Sequence, residues 1–359
     1  SAFGLYALRN NTIGTHNAAF GRAALQSNLT GLNNSAFGNY ALLNNNGGSR
    51  NSAFGREALY SNSTSDNSAF GYRALFATTI GTDNTAVGRS ALQTNTTASY
   101  NTAVGRTALY SNTIGTNNSA FGFYALSSNT TGNSNTAVGY LSLTANTIGA
   151  YNVAVGTQAL RNNTTGSSNT AFGFNALYSN VGNSGTVAIG HNAMYYADNR
   201  TIGISTYNTA IGYEALKGSA TAANNTGTSN TTIGYQSLSS NTSGGGNLAL
   251  GTTTMLANTS GERNTALGTN SLQQNTTGSS NTAIGFQVLT NNTTGNNNHA
   301  LGFQALAANT SGNRNTAFGE ASLPKNTTGS DNVAIGLTAL FRNTTADNNI
   351  AIGTQALGN

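Results

Sequence analysis

Apolar positions return along this chain on a fixed schedule. A small residue and then a larger apolar one precede a glycine, in the pattern A-[FVIL]-G. The glycines fall at 4, 21, 38, 55, 71, 88, 105, 122, 139, 156, 173, 190, 212, 234, 251, 268, 285, 302, 319, 336 and 353. Of the 20 intervals, 17 are 17 residues long, one is 16 and two are 22. The consensus is N-[TS]-A-[FVIL]-G-x-x-A-L-x-x-N-T-T-G-x-x, with nothing recurring at the helical period of 3.6. Two runs suited to short strands alternate with Asn/Thr/Gly turns. The pattern predicts an all-β fold, a parallel β-solenoid (β-roll) of about 21 coils with a 17-residue repeat. Residues 1–359 then form a single repetitive segment, with two enlarged coils at 191–234.

Each repeat position has a physical reading. The residue before the glycine is apolar, as at Phe3, Phe20, Val87, Ile189, Leu267 and Phe318, and four residues after it stands Leu in 19 coils and Met in two, Met194 and Met255. These two positions are expected to be the core knobs, one from each short strand. Burying such a side chain is worth roughly 1.5–3 kcal/mol, too little for one coil to fold alone against the ordering entropy of its backbone. Stacked neighbours must supply the rest.

Asn stands four residues before the glycine in 19 of 20 coils, Thr186 being the exception. A structural ladder is expected there, through Asn34, Asn51, Asn101, Asn135, Asn169, Asn281, Asn315 and Asn332. Stacked Asn side chains can bond coil to coil and tolerate left-handed geometry. Ala stands two residues before the glycine in 20 of 21 coils, replaced once by Thr232. If the residue next to the glycine points into the coil, this Ala points outward, where an invariant small apolar residue implies a covering partner chain. The alternative is an Ala packed inside a flattened coil.

The composition is what such a repeat demands: 44 Gly, one Pro (Pro324), no Cys, no Trp and 6% charged residues. The regular apolar positions separate it from a disordered polar chain. Without Cys there are no disulfides or thiolate metal sites. No run approaches the roughly 18–20 apolar residues of a membrane span, so no membrane insertion is expected. The chain opens and closes inside a repeat, as a segment of a longer chain that is capped by flanking sequence or continues head to tail. The net charge of +5 is concentrated in the first half, where Arg22, Arg56, Arg89 and Arg106 each follow a repeat glycine. This sparse stripe falls short of the density that nucleic-acid binding requires.

Catalytic or metal-binding patterns are not evident. The nine acids, Glu57, Asp66, Asp83, Asp198, Glu214, Glu262, Glu320, Asp331 and Asp347, are scattered, as are His16, His191 and His299. No paired carboxylates, phosphate loop or calcium-binding spacing recurs. The chain is read as no enzyme, with no cofactor.

Two features invite contact. The first enlarged coil carries Tyr195, Tyr196, Asp198, Arg200 and Tyr207, and a loop with Tyr, Arg and Asn on a rigid scaffold is a candidate contact loop. Seven residues after the glycine, Asn heads an N-x-[ST] triplet in 12 coils: Asn28, Asn62, Asn95, Asn129, Asn163, Asn241, Asn258, Asn275, Asn292, Asn309, Asn326 and Asn343. These are candidate glycosylation sites along one edge.

The segments Asn332-Val333-Ala334-Ile335-Gly336, Asn152-Val153-Ala154-Val155-Gly156 and Thr186-Val187-Ala188-Ile189-Gly190 resemble the N-S-V-A-I-G repeat of YadA-like heads of trimeric autotransporter adhesins. The form Asn281-Thr282-Ala283-Ile284-Gly285 is similar to repeats of bacterial surface and tail-fibre-like proteins. The adhesin repeat is nearer 14 residues, and it lacks the second fixed element, Ala-Leu. The resemblance implies a left-handed parallel roll, three chains side by side, and an adhesive or spacer role. The expected function is an extracellular or cell-surface structural fibre or adhesin-like shaft, self-associating as a homotrimer or head-to-tail filament. The alternative is a carbohydrate-binding or glycan-decorated surface module contacting surface glycans.

Overall fold

In each coil the two or three residues before the repeat glycine form one strand, and within each compact unit a strand lies parallel to that of the next coil in the same register. The computed structural model describes residues 1–358. It is all-β, with 21 turns of a parallel β-solenoid built on the 17-residue repeat. The chain divides into two compact units, Ser1–Phe172 and Gly173–Asn359. The first holds strands β1 (Ala2–Phe3) through β11 (Thr170–Phe172), and the second β12 (Val187–Ile189) through β21 (Ile350–Ile352). Within each unit the register is kept: Ala36 faces Ala53, which faces Ala69 in the next coil.

Strand alternation settles which residues face inward, and it reverses the expectation for two positions. The Ala two residues before the glycine is buried in the core, as at Ala36, Ala53, Ala137 and Ala283. The larger residue beside the glycine points outward: Phe54, Phe70, Val87 and Phe121 are each about two-fifths exposed. The physical reason is the second half of the coil. Both residues of its Ala-Leu pair are buried, Ala41 with Leu42 and Ala58 with Leu59. The lumen therefore holds one Leu or Met per coil, closed by two smaller residues that are mostly Ala. A Phe in place of either Ala would overfill it.

The second predicted strand does not form. After the glycine the backbone alternates in hand, and Tyr40 and Leu42 take φ of 62° and 50°. A third left-handed residue precedes each ladder Asn, as Arg50 does at 58°, so the ladder Asn are spared that conformation. Each such residue costs roughly 1–2 kcal/mol. Backbone bonds to the neighbouring coils accompany them: Tyr40 N–H to the Arg22 carbonyl at 2.8 Å and Leu42 N–H to the Ala58 carbonyl at 3.0 Å.

The repeat glycine is fixed twice over. Gly38 has φ of +141°, and a Cβ built there would stand 2.6 Å from the Gly55 carbonyl carbon. Glycine backbones stack directly on one another at this corner, which only glycine allows.

Candidate functional site

The Asn positions form two internal ladders. In the first, the side-chain carbonyl of Asn34 accepts the Asn51 backbone N–H at 3.0 Å, and the Asn34 amide donates to the Gly48 carbonyl at 2.7 Å. The same arrangement runs through Asn135, Asn281, Asn315 and Asn332; Asn101 accepts the Asn118 N–H but donates to the Asn84 side chain and the Ser99 carbonyl, and Asn169 donates its backbone N–H to Asn152. The second ladder is made by the Asn seven residues after the glycine. Asn129 Nδ2 donates to Asn112 Oδ1 at 2.8 Å and to the Gly132 carbonyl at 2.9 Å.

This second ladder is made of the Asn of the N-x-[ST] triplets, the candidate glycan acceptors. Asn28, Asn62, Asn95, Asn129, Asn163, Asn241, Asn258, Asn275, Asn292, Asn309 and Asn326 are all buried, and Asn343 is half-buried. Their Nδ2, the atom a glycan must replace a proton on, donates into the fold in every case, as at Asn28, Asn62, Asn95 and Asn163. Asn241, Asn258, Asn275, Asn292, Asn309, Asn326 and Asn343 are held in the same way. The triplet is a consequence of the turn. A Thr follows most of these Asn and bonds the next coil, Thr130 Oγ1 donating to the Thr147 carbonyl at 3.0 Å.

Outside, each unit carries a row of apolar side chains, one per coil. In the first unit Phe20, Phe37, Phe54 and Phe70 stack face to face at centroid separations of 4.7, 4.7 and 5.0 Å. Val87, Val104, Phe121, Val138, Val155 and Phe172 continue the row. In the second unit the same row runs from Ile189 through Ile211, Ile233, Leu250, Leu267, Ile284, Leu301, Phe318 and Ile335 to Ile352. Two-fifths of a Phe surface is about 60–100 Å², so one unit exposes on the order of 600 Å² of apolar area in this row. That reaches the top of the range for apolar patches on monomers, about 300–600 Å².

The enlarged coils of the second unit place the contact-loop residues unequally. Tyr195 stacks on Tyr178 at 5.0 Å and meets Tyr196 edge-on at 4.7 Å. Asp198 is buried, and its carboxylate accepts from the Arg200 guanidinium at 2.5–3.0 Å and from the Arg200 backbone N–H at 3.0 Å. Beyond that clamp Ile202 is 88% exposed and Tyr207 is 68% exposed. The second insertion folds back through a short 3₁₀ turn, Ala222–Asn224, and Asn225 donates to the Tyr196 carbonyl and to the Ser219 carbonyl. Beneath it lies a cavity of about 20 Å³ lined by Met194, Tyr196, Asp198, Thr206 and Asn225, room for a single water. The loop presents Ile202 and Tyr207, while Tyr195 and Asp198 act as its internal supports.

Ionisable groups pair along the surface. Glu57, buried beside Arg56 and Arg73 at 3.0 and 2.6 Å, is held below the ordinary glutamate range by the Arg73 hydrogen bond first and by Arg56 after it, against the opposing effect of burial. Asp66 with Arg50 and Asp331 with Arg314 bridge successive coils at 2.6 Å, and both carboxylates are lowered by those bonds. Burial pushes Glu214 up, but bonds from Lys217 and Gln236 outweigh it and leave its pKa lowered. His191 is stacked between Phe174 and Tyr213, each at 5.1 Å. Among the described residues no three His, Cys, Asp or Glu side chains gather where they could hold a metal ion.

No protein-family model, curated protein or solved structure matches the chain. The sequence showed the Arg stripe one position after the repeat glycine, but not the residues two and five positions after it in the first unit. Tyr, Phe and Arg recur there among otherwise polar residues, a signal that becomes visible only once the repeats are aligned.

Proposed function

We propose that this chain is a non-catalytic extracellular fibre or adhesin-like shaft that assembles with further copies of itself through its apolar row. One observation carries the reading: an outward apolar side chain in every coil, in strict register, beside a strand whose remaining outward position is mostly Ser or Thr. A water-facing row has no reason to remain Phe, Val, Ile or Leu through 21 coils while the other outward position of the same strand is mostly Ser or Thr. The area exposed per unit, on the order of 600 Å², approaches the roughly 800 Å² per partner of a stable protein interface. A second copy presents the same strand spacing of about 4.8 Å, so its row can mesh with this one along the whole of a unit. The likeness of the N-x-A-[VI]-G repeats to heads of trimeric surface adhesins supports the same assignment.

The test is native mass by light scattering, with the same sample viewed on an electron-microscope grid. The expected mass is a multiple of the 36.5 kDa chain, as closed oligomers or as filaments. Phe37→Asn with Phe54→Asn, at half-exposed positions, should preserve the fold and lower that mass. A wild-type chain that scatters as one copy and shows no filaments would overturn the reading.

The alternative, a carbohydrate-binding surface, is favoured by a separate observation, the aromatic and Arg-lined face of the first unit.

A further inference from the structure

The first unit carries eight Arg against three acids, while the second balances six bases with six acids. The excess sits beside aromatic rings. Arg22 lies 5.6 Å over Tyr40, Arg73 5.2 Å over Tyr72 and 5.1 Å over Phe76, and Arg106 5.4 Å over Phe123. Arg56 and Arg89 flank Tyr72 from neighbouring coils, each at 5.9 Å. Arg56 and Arg73 share Glu57, whereas Arg22, Arg89 and Arg106 form no ion pair among the described residues. Unpaired guanidinium groups over aromatic faces keep their forks available for an anion.

Beside this row run two open recesses between the side chains two and five positions after the glycine. One, of about 240 Å³, is lined by Tyr40, Glu57, Tyr60, Arg73 and Phe76, with Tyr60 stacked on Phe76 at 5.0 Å. The other, of about 220 Å³, is lined by Tyr110, Tyr124, Thr107 and Ser128 among others. Each is smaller than the roughly 300–1,000 Å³ of an enclosed small-molecule site. An open trough with an aromatic floor and hydroxyl rim suits single pyranose rings of a longer chain, whose C–H faces pack on the rings.

We propose that this face of the first unit binds a linear acidic polysaccharide, with Arg22, Arg89 and Arg106 engaging its carboxylate or sulfate groups and Tyr40, Tyr60, Tyr110 and Tyr124 packing on its sugar rings. The inference deepens the carbohydrate-binding alternative and is independent of self-assembly, because it uses none of the apolar-row residues. Charge density selects the ligand. From Gly21 to Gly122 the face spans roughly 30 Å at about 4.8 Å per coil, with three unpaired Arg. A nucleic-acid strand offers a phosphate every 3.4 Å or so, far denser than this row can match. An acidic glycan, charged once every one or two sugars, matches it.

The full chain should be titrated calorimetrically with κ-carrageenan, which carries one sulfate per two sugars, with alginate and with neutral dextran, alongside single-stranded DNA of matched length. Binding to κ-carrageenan or alginate and none to neutral dextran is expected; which of the two binds tighter identifies sulfate or carboxylate as the preferred anion. Arg89→Gln with Arg106→Gln should weaken binding about tenfold or more. Tyr110→Ser with Tyr124→Ser, which leaves the charge unchanged, should weaken it severalfold. Native mass on the same samples reads assembly separately. The proposal is overturned if neither polyanion binds, if DNA binds more tightly than both, or if the Tyr variants bind like the wild type, leaving only charge attraction.

Discussion

Asn51 donates its backbone N–H to the Asn34 side-chain carbonyl at 3.0 Å, while its own side-chain carbonyl accepts the Asn67 N–H at 3.0 Å. Each Asn thus satisfies the backbone of the coil after it and depends on the coil before. Asn51→Ala leaves the Asn67 N–H buried without an acceptor, and such a group costs about 1–3 kcal/mol. We expect a loss of that order for Asn51→Ala, read as a lowered thermal midpoint. Asn44→Ala, at an exposed turn position, should change it by no more than about 0.5 kcal/mol. Equal midpoints for the two variants would refute the role of the ladder.

Thr232 predicts the opposite sign. It replaces the inward Ala of its strand, paired with Ala210 and Ala249, and its buried hydroxyl has no hydrogen-bond partner. Thr232→Val keeps the shape and removes the orphaned polar atom, so it should stabilise the chain by about 1 kcal/mol. Chemical denaturation of the two proteins side by side reads the difference, and a destabilised Val variant would show that the hydroxyl is satisfied in solution.

How far the fold could be read from residues is shown by three positions. The period, the parallel stacking and the corner glycines were all legible, because Gly38 and its equivalents admit no other residue. The facing of the strand was not. The alternation of Ala36 and Phe37 says that the two point to opposite sides, and the larger apolar residue was the natural choice for the core. The lumen is set instead by the buried Ala41-Leu42 pair across the coil, and left-handed Tyr40 and Leu42 leave no second strand. A sequence cannot show that non-glycine residues will take that conformation, since the compensation comes from bonds to the next coils. The same blindness made Asn129 look like a surface acceptor. Its triplet is chemically right for a glycan, but the side chain turns inward.

Glu57 gives a pH dependence. Its folded pKa lies below the ordinary value, through the Arg73 bond first and then Arg56. A depressed carboxylate contributes stability that is complete above its unfolded pKa, about 4.3 for Glu, and that is lost as pH falls through the lower folded value. Thermal midpoints of the wild type and Glu57→Gln should therefore differ at pH 7 and converge as the pH is taken from 5 toward 3. A gap that stayed constant over that range would mean that packing, and not charge, distinguishes the two.

The buried Nδ2 groups make a prediction about mass. A glycan on Asn129 would have to displace bonds to both Asn112 and Gly132 and force a sugar into the core. Folded chain produced in a cell that glycosylates N-x-[ST] triplets should keep the bare-chain mass of 36.5 kDa. Intact-mass spectrometry of the folded fraction decides this; regular increments of hexose and N-acetylhexosamine in that fraction would mean that the second ladder opens.

The last prediction concerns the clamp of the enlarged coil. Asp198 is buried and receives both the guanidinium and the backbone N–H of Arg200, so one carboxylate closes the base of the loop that presents Ile202 and Tyr207. Asp198→Ala removes that closure and leaves Arg200 without its partner, while the coil around it keeps its ladder bonds. Local opening then becomes cheaper without global unfolding. Limited trypsin digestion should cut after Arg200 severalfold faster in the variant, with the thermal midpoint changed by much less than for Asn51→Ala. Tyr207→Ala, which alters an exposed side chain outside the clamp, should leave the rate of that cut unchanged. Equal cleavage of the wild type and Asp198→Ala would mean that the loop is held by its packing over Tyr196 and Asn225, and that the ion pair only decorates it.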